Sequence, residues 1–206
     1  MNYLQISPRV IRETSQGTDC VHLEDLMFQR REIWLAGEIS NDTADAVNSQ
    51  LLHLAAEAPD KGITIYINSP GGQVGAGLSI YDVMHAIPCK IRTVCVGTAA
   101  SMAAVLFSAG DLREMLRHSE LLIHDPLTLR GVSGSALDIQ EQSSRLMRTR
   151  KILCGILALH TGKSLKQIYR VTRKDTWFDA EEAVTFGLAD VVVDSLRTEE
   201  NEGRNH

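Results

Sequence analysis

The sequence predicts an α/β domain built on parallel strand pairs. Two observations carry this. Apolar runs of strand length recur along the chain, and stretches with apolar residues at helical spacing separate them. Parallel strands need long crossovers, usually helical, and helices of that length lie between these strands.

The elements follow in order. The first 30 residues are polar and weakly patterned. Glu32–Leu35 (EIWL) then reads as a strand, and Ala44–Ala58 as a helix. Ile63–Ile67 (ITIYI) is the next strand. Gly75–Ile87 is helix-like and stops near Pro88. Ile91–Val96 (IRTVCV) is a strand, and Ala99–Ala109 reads as a buried helix rich in small residues. Leu121–Ile123 (LLI) is a short strand, and Ala136–His160 a long amphipathic helix. Asp179 to Glu182 (DAEE) has the form of a capping box, and Gly187 stops the helix that it opens. Val191–Val193 ends the series as a strand. The tail from Ser195 to His206 is polar and is expected to be disordered.

The chain has 206 residues, 44% hydrophobic and 23% charged, which fits a single globular domain over 1–206. Its formal net charge is -5, and no basic stripe of the kind that binds nucleic acid stands out. No apolar run reaches the roughly 18 residues of a membrane span. Met1–Val10 lacks a basic region followed by an apolar stretch, so the expected location is the cytosol. The cysteines Cys20, Cys89, Cys95 and Cys154 include no CxxC pair, and free thiols are expected.

Sites in α/β folds gather where strands end. Asn68-Ser69-Pro70-Gly71-Gly72 follows ITIYI, and its glycines can expose backbone N–H groups to a substrate carbonyl or a phosphate; the alternative is a plain tight turn. Gly97–Ala104 follows IRTVCV and places Ser101 at a strand-to-helix junction, where a nucleophile could meet the free N–H groups of a helix start. Serine is common at helix caps, so the residue alone favours the cap. His124 ends an apolar strand as a general base or a core histidine. A serine nucleophile needs such a base, and the base a carboxylate. Spacing leaves Asp125, Asp175, Asp179 and Asp190 open, though Asp179 is better explained as a cap.

Taken together, these segments resemble the proteolytic subunit of the ATP-dependent Clp protease, from about Pro8 to Val193. The matching stretches are YINSPGG (Tyr66–Gly72), GLSIYDVM (Gly77–Met84), AASM (Ala99–Met102), LLIHDPL (Leu121–Leu127), GSALDI (Gly134–Ile139), HTGKSLKQI (His160–Ile168) and AEEAVTFGLAD (Ala180–Asp190). Their order and spacing together are specific. The resemblance implies a serine endopeptidase with Ser101, His124 and Asp175 as catalytic triad and the N–H groups of Gly72 and Met102 as oxyanion donors. It implies no metal and no organic cofactor, ATP being used by the partner unfoldase.

The resemblance also implies a ClpP/crotonase-like α/β fold, in which Ala136–His160 is an extended handle helix for ring-ring contact. Heptameric rings would stack to a tetradecamer around a chamber, fed with unfolded protein by an AAA+ Clp unfoldase. Residues 1–30 would form the axial-loop region, Leu127–Gly134 would pair with substrate backbone, and little propeptide would lie beyond Met1–Ser7. Neither nucleic acid nor a membrane is an expected partner. The chain departs from the family pattern at Thr64 and Ala86, where aromatics usually help dock the unfoldase. It also departs at Asp125, a carboxylate that could raise the imidazole pKa of His124. Arg173-Lys174 replaces an acidic–basic pair that helps couple the rings. These departures keep open a paralogue working mainly in mixed rings with weak activity of its own. A crotonase-type acyl-CoA enzyme and a non-enzymatic scaffold are the readings outside the class.

Overall fold

The computed structural model describes residues 8–14, 17–128, 131 and 133–196. The expectations for Met1–Ser7 and for most of the polar tail lie outside the described residues, and so does part of Leu127–Gly134.

Two strands, β1 (Arg9–Thr14) and β2 (Gly17–His22), form an antiparallel hairpin that leads into helix α1 (Leu23–Gln29). The main sheet starts with β3 (Glu32–Ile39), crosses over through α2 (Asn41–Glu57) to β4 (Ile63–Gly72), and through α3 (Val74–Ala86) to β5 (Ile91–Ala100). These strands pair in parallel, as predicted. The core-facing residues of β4 alternate. Ile63, Ile65 and Ile67 are at most 1% exposed, and each such side chain is worth about 1.5–3 kcal/mol of burial.

Helix α4 (Met102–Ser108) is buried along its whole length and packs on β4 and β5. It starts later than the sequence suggests. Ala99 is still paired with Ser69 of β4, and Thr98–Ala100 pair with the later strand β7 (Glu120–Ile123). Backbone groups already bonded on both edges do not enter the helix. The strand β6 (Leu112–Leu116) pairs with the first half of β5, and β7 with its second half. The sheet therefore forks along β5. Gly97, at φ +97°, sits at the fork. Its N–H donates to the Ser119 hydroxyl at 3.1 Å, which in turn donates to the Cys95 carbonyl at 2.8 Å.

Beyond the fork come α5 (Ala136–Thr161), α6 (Leu165–Thr172), β8 (Thr176–Asp179), α7 (Ala180–Phe186) and β9 (Val191–Val193). β8 runs antiparallel to β7, and β9 runs parallel to β6. The predicted capping box is present: Asp179 accepts from the Glu182 N–H at 2.8 Å, and Gly187 caps the helix end in the left-handed conformation. Cys89, Cys95 and Cys154 are free and buried, and Cys20 is free and exposed. No helix among the described residues is long and apolar enough to cross a membrane.

Candidate active site

Ser101 joins β5 to α4. It holds the N-cap position, yet its side chain makes no capping hydrogen bond. Its backbone lies at φ +57°, ψ −120°, a region that costs a non-glycine residue of order 1–3 kcal/mol and recurs at functional sites. The bend is held from outside. Ser101 N–H donates to the Leu122 carbonyl of β7 at 2.8 Å, and the Ser101 carbonyl accepts from the Ala104 and Val105 N–H groups at 3.1 and 3.3 Å. The hydroxyl is thus presented at the junction without serving the helix.

The turn after β4 packs directly against this bend. Ser69 donates to the Gly37 carbonyl at 2.6 Å and accepts from Gly71 N–H at 3.1 Å, which fixes the turn. Thr98 N–H donates to the Asn68 side chain at 3.3 Å, joining the turn to β5. Gly71 has φ +89°, and a Cβ there would stand 2.8 Å from Ser101 Cβ. Gln73 N–H donates to the Ile39 carbonyl of β3 at 2.8 Å. Met102 is the first residue of α4, and a helix has no internal partner for that N–H.

His124 follows β7, with its side chain 14% exposed, and its Nδ1 lies 3.8 Å from Asp175 Oδ1. That is an ion-pair distance, too long for a hydrogen bond. The β7–β8 register, with Ile123 opposite Thr176, sets the two residues side by side. The other carboxylates left open by spacing have different partners. Asp179 caps α7. Asp190 is bonded to Arg113, whose guanidinium holds its carboxyl below the usual range. Asp125 turns its carboxylate to other partners. Its Oδ2 accepts from Arg150 Nε and its Oδ1 from Thr172 Oγ1, each at 2.6 Å.

Gly71, Gly72, Ser101, Met102 and His124 line one cleft of about 670 Å³, a size that suits a peptide side chain or small ligand. Its apolar wall comes from Val74, Val105, Leu127, Leu153 and Leu157. Asp175 lies outside this lining, behind His124, and is 71% exposed. Cys154 also lines the cleft; burial raises its thiol pKa, so it packs as a neutral group. A second hollow lies beside Arg117, Ser119 and Glu181, and its Ser119 hydroxyl is engaged by the Gly97 N–H and the Cys95 carbonyl. Among the described residues, no cluster of His, Cys, Asp or Glu is placed to hold a metal.

The family model of Clp protease matches residues 15–196. The chain belongs to the Clp protease family. It is therefore a Clp-type peptidase, and its mostly parallel sheet with covering helices is that family's α/β fold. The apolar wall and the Arg150–Asp125–Thr172 bridge were missed in the sequence. Leu153, Cys154 and Leu157 recur at helical spacing in α5, which was the available signal for the wall.

Proposed function

We propose that this Clp-family peptidase is a serine endopeptidase with Ser101 as nucleophile, His124 as general base and Asp175 as the carboxylate that orients the base. One observation carries the reading. Ser101 is held at positive φ on a helix cap that it does not cap, in the same cleft as His124.

In the proposed cycle, Ser101 Oγ attacks a peptide carbonyl as His124 takes its proton. The N–H groups of Gly72 and Met102 stabilise the oxyanion, and each such donor is typically worth about 10²–10³ in rate. His124 then protonates the leaving amine, and water hydrolyses the acyl-enzyme with His124 again as base. Asp175 must close its gap to Nδ1 by about 1 Å to form a hydrogen bond, a tightening common between free and substrate-bound sites. The chemistry calls for no metal or organic cofactor.

Family membership also supports a ring assembly fed by an AAA+ Clp unfoldase. We place this chain in heptameric rings that stack to a tetradecamer, either of one kind of subunit or shared with a paralogue. Trp34, Leu112 and Val191 are exposed large side chains on the sheet face turned away from α2 and α3, and a neighbouring subunit would cover them. Exposed Leu137, Ile139, Met147 and Leu159 on α5 suit a handle between rings.

Hydrolysis of short fluorogenic peptides by the wild type and Ser101→Ala tests the chemistry without an unfoldase. Loss of a cooperating nucleophile costs about 10⁶ in rate. Equal activity in both would refute the assignment.

A further inference from the structure

Asp125 takes no part in the chemistry above, yet its N–H and both carboxylate oxygens are bonded directly behind the cleft. Its neighbours His124 and Pro126 line the cleft, whereas Asp125 does not. Its N–H donates to the Thr172 carbonyl at 2.7 Å, and its Oδ1 accepts from the Thr172 hydroxyl at 2.6 Å. Thr172 is 1% exposed, so this pair of hydrogen bonds is buried at the Thr172 end, and the Asp125 side chain is 30% exposed.

Thr172 begins the short stretch of chain that carries Asp175. The other end of the stretch, Thr176, pairs with Ile123. The two neighbours of His124 in sequence thus grip the two ends of the loop that holds Asp175. The loop is also closed on itself, since the Thr176 hydroxyl lies 2.8 Å from the Val171 carbonyl and 3.2 Å from that of Lys174. A third tie comes from α5. Arg150 Nε donates to Asp125 Oδ2 at 2.6 Å, its Nη2 reaches the Tyr169 carbonyl at 3.3 Å, and its guanidinium lies 4.2 Å from the Tyr169 ring centre. One carboxylate therefore fastens β7, α5 and α6 together at the point where Asp175 is delivered to His124.

We propose that Asp125 is a positioning residue: by bridging Thr172 and Arg150, it holds the 172–176 loop where Asp175 can meet His124. This rests on the reading of Ser101, His124 and Asp175 as the catalytic set. Asp125 then acts through Asp175 alone. Losing it slows the chemical step and leaves substrate binding in the cleft unchanged. A misplacement of about 1 Å in a catalytic group can cost about 10²-fold, and the His124–Asp175 gap of 3.8 Å already has to close by about 1 Å.

The test is kcat and KM on a fluorogenic peptide, measured on the full chain for Asp125→Ala, Thr172→Val, Asp175→Asn and the Asp125→Ala/Asp175→Asn pair. Thr172→Val keeps the shape of a buried side chain and removes only the hydroxyl, and a thermal melt of each variant reports folding. The expected result is a kcat loss of about 10²-fold for Asp125→Ala and a smaller one for Thr172→Val. KM should stay within about twofold, and Asp125→Ala should add nothing once Asp175 is Asn. Losses that multiply in the pair, or a folded Thr172→Val with unchanged kcat, overturn the positioning role. Ser101→Ala, run alongside, separates this from the larger reading: activity surviving there overturns both, whereas activity lost there but intact in Asp125→Ala overturns only the role of Asp125.

Discussion

Replacing Gly71 by alanine should silence Ser101 without touching it. Gly71 lies at φ +89°, and an added Cβ would stand 2.6 Å from the Ala100 carbonyl oxygen, 2.8 Å from Ser101 Cβ and 2.9 Å from Met102 N. These are backbone atoms and a first side-chain carbon, so no flexible side chain can yield. The left-handed backbone costs an alanine about 1–2 kcal/mol, and overpacking adds about 1–3 kcal/mol. At about 2–4 °C per kcal/mol for a chain of this length, the melting temperature should fall by roughly 4–20 °C. The relief available is a shift of the Ser101–Met102 bend away from the turn. That shift separates the nucleophile and one oxyanion donor from the Gly72 N–H, at a cost of about 10²–10³ in kcat. Calorimetry and peptide hydrolysis on the same preparation measure both. A lowered melting temperature with full activity would refute the link between turn and nucleophile. An unchanged melting temperature would refute the packing argument itself.

Two further outcomes follow from titrating groups. Burial holds the His160 pKa below the ordinary histidine value of about 6.5, with His85 and Arg113 adding to the effect, and its Nε2 lies 3.0 Å from the Tyr81 hydroxyl. A histidine kept neutral by the fold contributes full stability above the unfolded pKa and loses it as pH falls from about 6.5 toward the lowered folded value. Urea midpoints across that window should decline with acid, and His160→Gln should flatten the decline. Burial pushes the Cys95 thiol up to about 12, while Cys20 is exposed. Iodoacetamide at about pH 8 should therefore modify Cys20 alone in the native protein and reach the other cysteines only on unfolding; intact-mass spectrometry counts the adducts.

The parallel core was legible because β3, β4 and β5 are apolar runs joined by helices of crossover length. The elements that were missed are those whose residues are polar for reasons of pairing. β6 reads LREML, and its charges look like loop until Arg113 is seen on Asp190 and Glu114 on Arg92. β8 (TWFD) is a short antiparallel edge strand with exposed Trp177. The β1–β2 hairpin is built mostly from exposed residues and gives no apolar alternation. Helix α6 was within reach, since Ser164 and Gln167 spell the same capping box as Asp179 and Glu182. At the site, the sequence marked both loops and His124 because they follow strands. Spacing left open which carboxylate lies beside His124, and only the family resemblance named Asp175, because that proximity depends on the fold-back of β8 onto β7, a contact between distant parts of the chain. Asp125 adjoins His124 in sequence, and only the positions of Arg150 and Thr172 show where its carboxylate is engaged.

The most direct test of the account is reaction of the purified protein with a fluorophosphonate, followed by peptide mapping. The account predicts one adduct, on Ser101, absent in Ser101→Ala and formed at least about 10²-fold more slowly in His124→Ala. An adduct on another residue, or a labelling rate indifferent to His124, would contradict it.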